Sequence, residues 1–252
     1  MHAFLLLFAL ALGCERPVVA EAPPAVPAAP EVPPADEAPL VFHEVLTGGA
    51  SAGDTLPLVI AVHGRGDKPE NFARVLASWP VPARVVFPQA ILPYANGGWS
   101  WFNVRVTSPP AQIAAEVGDA ADQVAALTRW LCEQHTCEVK PAITGFSQGG
   151  MISYTAAVRH PDLYSGAIPV SGFLPESILP ELSSATGATV PIRALHGDAD
   201  TVIDPALARR SLAALEAAGL DATLTEYPGV QHSISKDMRA ELDVTLRAFL
   251  TP

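Results

Sequence analysis

Ser147 stands in Gly145-Phe146-Ser147-Gln148-Gly149, between an apolar run ending at Ile143 and a helical run opening at Met151. A G-x-S-x-G pattern between strand and helix makes a sharp turn that pushes the hydroxyl clear of the backbone, and glycines tolerate the close contacts such a turn imposes. A serine hydroxyl becomes a useful nucleophile only when a base takes its proton, and the base needs a carboxylate to fix its tautomer. Three histidines follow Ser147. His160 lies on the helix leaving the turn, and His196 precedes the well-placed acids. His232 sits in a loop, Gly229-Val230-Gln231-His232-Ser233, between a strand and the final helix, and is the expected base. Asp200, in His196-Gly197-Asp198-Ala199-Asp200, is the expected orienting acid. Asp198 competes for that role, or braces the loop by accepting backbone N–H bonds. Asp204 before Pro205 reads as a helix N-cap. Negative charge developing on a substrate oxygen calls for two N–H donors. The residue after the nucleophile, Gln148, supplies one, and the loop His63-Gly64-Arg65-Gly66-Asp67 supplies the other, at Arg65. The Arg65-Gly66-Asp67 triplet also matches a short cell-adhesion signal, but a glycine turn after a strand accounts for it more simply.

Short apolar runs alternating with segments of helical period must position these groups. Strands are expected at Val41–Leu46, Pro57–Val62, Arg84–Phe87, Val139–Ile143, Gly166–Val170, Pro191–Leu195 and Ala222–Tyr227. Helices are expected at Pro69–Ser78, Ile113–Glu133, Gln148–Arg159, Pro205–Ala218 and Ser233–Leu250. This is an α/β pattern. Leu58 to Val62 lacks polar alternation, as strands covered on both faces do, so a mostly parallel sheet with helices on both faces follows. The first strand reads as an antiparallel edge. Ligands of such sheets bind beyond the carboxyl ends of the strands.

The 252 residues suit one catalytic-size domain, and 49% hydrophobic content supplies its core. A formal charge of −11 has the wrong sign for nucleic acid. No apolar run in the body reaches the roughly 18 residues that span a bilayer. Residues 1–13 read as a signal peptide, ending in Ala11-Leu12-Gly13-Cys14, which resembles a bacterial lipobox and makes Cys14 the expected lipid attachment point. Residues 14–39 read as a tether: between Glu15 and Pro39 stand 8 Pro and 7 Ala, too little apolar surface to fold. The expected location is therefore periplasmic or at the cell surface, with the catalytic domain at 40–252 and the membrane touched only through lipid. Cys132 and Cys137 are an expected disulfide in such a compartment.

Taken in order, the pieces His63 to Asp67, Phe87-Pro88, Gly97-Gly98-Trp99-Ser100-Trp101-Phe102, Gly145 to Gly150, His196 to Asp200 and His232-Ser233 resemble the phospholipase/carboxylesterase family of α/β hydrolases, which includes acyl-protein thioesterases. The resemblance implies the α/β-hydrolase fold and hydrolysis of small-molecule carboxylic esters by Ser147, His232 and Asp200, with Arg65 and Gln148 as oxyanion donors. It implies neither metal nor organic cofactor. Trp99, Trp101 and Phe102 are expected along the substrate pocket. The family commonly carries a small or apolar residue where Arg65 stands. A polymer-directed esterase and a non-catalytic binding module on the same scaffold are the rival expectations.

Overall fold

The computed structural model describes residues 37–105, 107–178 and 190–251. The leader, Cys14 and most of the expected tether lie outside the described residues. Among the described residues nine strands appear in chain order: β1 (Phe42–Thr47), β2 (Leu58–Val62), β3 (Ala83–Pro88), β4 (Leu92–Tyr94), β5 (Gly98–Ser100), β6 (Ala142–Phe146), β7 (Gly166–Val170), β8 (Ile192–Gly197) and β9 (Ala222–Tyr227). Five α-helices accompany them: α1 (Pro69–Phe72), α2 (Pro110–His135), α3 (Gln148–Arg159), α4 (Pro205–Ala217) and α5 (Lys236–Leu250). Seven strands form one sheet in the order β1-β3-β2-β6-β7-β8-β9, parallel except for β1, which runs antiparallel along β3 at the edge.

The apolar run of β2 is split by the strand's period of two. Leu58, Ile60 and Val62 enter one core with Val124 and Leu127 of α2, Ile152 of α3 and Leu215 of α4. Val59 and Ala61 enter the other with Phe72 of α1 and Met238, Leu242 and Leu246 of α5. Both faces are thus covered, and each fully buried aliphatic side chain stabilises the fold by roughly 1.5–3 kcal/mol relative to exposure. Among the described residues no helix is long and apolar enough to cross a membrane.

Parallel register brings the chemistry-bearing loops together. Val62 pairs with Gly145, Phe146 with Val170, and Gly197 with Tyr227. The turns at 63–67, 147, 198–203 and 228–235 therefore leave the same edge of the sheet. The observed elements depart from expectation in three places. The strand expected at Val139–Ile143 pairs only from Ala142, because Pro141 has no N–H to give the ladder. The helix expected over Pro69–Ser78 is α only to Phe72, then a single 3-10 turn over Ala73–Val75; Pro80 disfavours helical backbone at Trp79 before it. The hairpin β4–β5 was not anticipated, although its Asn96-Gly97 turn, with φ of 58° and 71°, is a hairpin signal.

Candidate active site

Ser147 sits at the junction of β6 and α3 with φ 57° and ψ −115°, a left-handed conformation that non-glycine residues adopt only when their surroundings enforce it. The surroundings are backbone packed on backbone. A Cβ at Gly149 would lie 2.0 Å from the Val62 carbonyl oxygen, and one at Gly145 would lie 2.4 Å from the Gly149 oxygen. The two glycines thus let α3 descend onto β2 and β6, and the turn is held by Ser147 N–H donating to the Val170 carbonyl at 3.0 Å.

The structure brings His232 to this serine across 85 residues of sequence and to Asp200 across 32. His232 Nε2 lies 3.0 Å from Ser147 Oγ, and its Nδ1 lies 2.7 Å from Asp200 Oδ2. The other oxygen of Asp200 accepts from Val202 N–H at 2.8 Å and Ile203 N–H at 2.9 Å. The loop carrying His232 leans on Gly197, where a Cβ would meet the Val230 oxygen at 2.1 Å. Asp198 stays out of the line: its Oδ1 accepts from Gly229 N–H at 2.6 Å, bracing that loop. Asp204 caps α4 through Ala206 N–H. His160 bonds Asp122 instead, far along α3. The ring of Phe146 packs 4.7 Å from that of His232, centroid to centroid.

On the opposite side, Gly64 comes close enough to Ser147 that a Cβ on it would lie 3.3 Å from the serine Cβ. The N–H groups of Arg65 and Gln148 have no acceptor among the described residues. Gln148 N–H also opens α3, where the helix dipole favours negative charge. The loop 63–67 is braced by His63, fully buried, whose Nδ1–H donates to the Gly64 carbonyl at 2.7 Å while Nε2 accepts from Ala90 N–H at 3.2 Å. Burial pushes the His63 pKa below its ordinary value, and the lone pair offered to Ala90 requires the neutral ring. His196 is buried beside Asp200, bonded to the Ile203 carbonyl at 3.0 Å, and burial lowers its pKa too.

A cavity of about 320 Å³ opens beside Ser147, walled by Phe102, Ile113, Met151 and Phe173 and rimmed by Arg65 and Arg105. Of the three aromatics expected along it, only Phe102 lines it. Trp101 is buried behind the wall with its Nε1–H on the His63 carbonyl at 3.0 Å, because an indole needs a partner when buried. Trp99 belongs to the hairpin, exchanging backbone bonds with Gly66 and Asp67. Both are scaffold.

Residues 50–249 match the family model described as Phospholipase/Carboxylesterase. The chain belongs to the phospholipase/carboxylesterase family. It is 28% identical to Esterase YpfH of Escherichia coli (strain K12) over 74% of this chain and 80% of that one. Acyl-protein thioesterase 1 of Neurospora crassa is 27% identical over 77% of this chain and 85% of its own length. The fold matches the crystal structure of esterase PE8 with a TM-score of 0.71, at 23% identity, covering 84% of this chain and 98% of that one. A carboxylic ester hydrolase on the α/β-hydrolase fold is what this membership establishes.

Two features of this family member escaped sequence reasoning. The Gln148 side chain is buried, its Oε1 accepting from Trp101 N–H at 3.0 Å and Ser100 Oγ at 3.2 Å while Nε2 donates to the Phe102 carbonyl at 2.9 Å. It ties the cavity wall to the elbow. The bracing role of His63 was also missed; a histidine directly after a fully apolar strand was the available signal. Among the described residues no three His, Cys, Asp or Glu side chains gather as a metal site. Cys132 and Cys137 are joined by a disulfide at the far end of α2.

Proposed function

We propose that the protein is a serine esterase working through an acyl-enzyme. The observation that carries this reading is the unbroken hydrogen-bonded line Ser147–His232–Asp200 at the wall of the cavity. Ser147 Oγ attacks the ester carbonyl carbon while His232 Nε2 takes its proton, and Asp200 holds the ring with Nδ1 protonated. The carbonyl oxygen gathers negative charge facing the N–H groups of Gln148 and Arg65. The intermediate collapses, the C–O bond to the alcohol breaks, and His232 returns the proton to the leaving oxygen. A water molecule repeats the sequence on the acyl-enzyme, releasing acid and restoring Ser147.

The test is hydrolysis of p-nitrophenyl acetate together with labelling by an organophosphonate. Ser147→Ala is expected to lose hydrolysis and labelling together; full retained activity overturns the assignment.

We also propose that the enzyme is exported and tethered through lipid on Cys14, with the Pro- and Ala-rich segment as spacer. The lipobox-like Ala11-Leu12-Gly13-Cys14 supports this, as does the Cys132–Cys137 disulfide, a bond typical of oxidising compartments. Metabolic palmitate labelling should disappear in Cys14→Ser, and unchanged labelling refutes the anchor.

A further inference from the structure

Among the described residues the cavity beside Ser147 is lined by two arginines, Arg65 and Arg105, and by no Asp or Glu, in a chain with 26 acidic and only 15 basic residues. Arg84, Arg159, Arg193, Arg209 and Arg247 each face a carboxylate. Among the described residues Arg65 and Arg105 have none; Arg74, Arg129, Arg210 and Arg239 also face no carboxylate, but none of those four lines this cavity. The Arg65 guanidinium and the Arg105 backbone are each held at the cavity. The Arg65 guanidinium lies 5.8 Å from the centroid of the Tyr94 ring, and that ring packs on Gly66, where a Cβ would come within 3.1 Å of it. Arg105 is fixed at a turn in which its N–H donates to Ser108 Oγ at 3.0 Å and its carbonyl accepts from Ser108 N–H at 2.9 Å.

A protein of net charge −11 repels anions at a distance. Two guanidinium groups that face no carboxylate among the described residues put positive charge at the rim, and a guanidinium fork matches the oxygens of a carboxylate or phosphate. The apolar wall of Phe102, Ile113, Met151 and Phe173 takes carbon instead. We infer that the ester cleaved at Ser147 carries a negative charge, a carboxylate or another oxyanion, on its acyl or its alcohol part, held by Arg65 and Arg105. The inference rests on the esterase reading above and assigns its substrate class.

Matched esters read by nitrophenolate release test it. The acyl arm compares 4-nitrophenyl hydrogen adipate with its methyl-capped neutral counterpart. The alcohol arm compares 3-carboxy-4-nitrophenyl hexanoate with 4-nitrophenyl hexanoate. The wild-type enzyme at low ionic strength should favour the anion in one arm by about 5- to 10-fold in kcat/KM, chiefly through KM, and the preference should shrink with added salt. That ratio should fall to about one in the Arg65→Gln, Arg105→Gln double variant, and Lys at both positions should restore part of it. The arm that responds tells which part of the substrate bears the charge. Hydrolysis of neutral and anionic esters at equal rates by the wild-type enzyme in both arms overturns the inference while leaving the esterase intact. So does a preference that survives in the double variant. Failure to hydrolyse any of the four esters overturns the esterase reading and this inference with it.

Discussion

The two oxygens of Asp200 have separate duties. Oδ2 meets the imidazole of His232, and Oδ1 holds the N–H groups of Val202 and Ile203, which wall the cavity. An Asn side chain cannot serve both, since its NH₂ must face a donor on one side. Asp200→Asn should therefore lower kcat about 10⁴-fold, as a wrong imidazole tautomer does in serine hydrolases, and should reduce stability by about 1–3 kcal/mol. Steady-state kinetics and urea unfolding check both numbers. The glycines of the elbow act by what they lack. Gly149→Ala sets a methyl 2.0 Å from the Val62 oxygen, backbone that has no room to retreat, so a loss of roughly 2–4 kcal/mol in unfolding free energy is expected. A variant as stable as the wild type would mean that the elbow is not packed this way.

At the scale of elements, α2 links the cavity to the disulfide. Ile113 near its start lines the cavity, and Cys132 near its end is bonded to Cys137. At 1.5 Å per residue these positions lie about 28 Å apart. The bridge closes a small loop, so its chain-entropy contribution is about 2 kcal/mol. The Cys132→Ser, Cys137→Ser pair should accordingly unfold at lower urea concentration by about that free energy, with kcat unchanged. A fall in kcat at full folding would show that the helix transmits strain to the cavity. The parallel strands β2, β6 and β8 carry the more general lesson. Their paired ends deliver the 63–67 loop, Ser147 and Asp200 to one edge, so the spacing between these groups is fixed by strand register.

For the whole molecule, buried histidines decide the response to acid. Burial holds His63 and His196 below the ordinary value of 6.5, so each takes up its proton at lower pH in the fold than in the unfolded chain. The unfolded chain begins to bind protons at these positions near 6.5, while the folded chain does not. Stability is therefore complete above 6.5 and is lost progressively as pH falls toward the lower folded values. Asp221, held low by its hydrogen bond from Arg193, and Asp243, by that from Arg247, act in the same direction only below 3.8. Urea midpoints measured from about pH 8 to about pH 5 should decline below the first of these thresholds, and His63→Gln should flatten part of that decline. Midpoints that stay level across the range would mean that neither ring is kept neutral.

Much of this protein is legible in its residue types. Runs such as Leu58 to Val62 dictate buried parallel strands because both faces must be apolar, and the glycines around Ser147 announce an elbow because no other residue fits so close a turn. The order of motifs along the chain names the candidate trio, and the cysteine count names the disulfide partners. Only the tertiary structure decided which atoms meet. Pairing Val62 with Gly145 and Gly197 with Tyr227 sets four turns along one edge, a relation between residues distant in sequence. The same holds for Trp99, paired with Gly66 and Asp67, for Trp101, buried by partners on His63 and Gln148, and for Gln148, whose side-chain bonds reach 46 to 48 residues back. Local preferences set each element, but contact between elements depends on register and packing, which no short stretch of sequence contains.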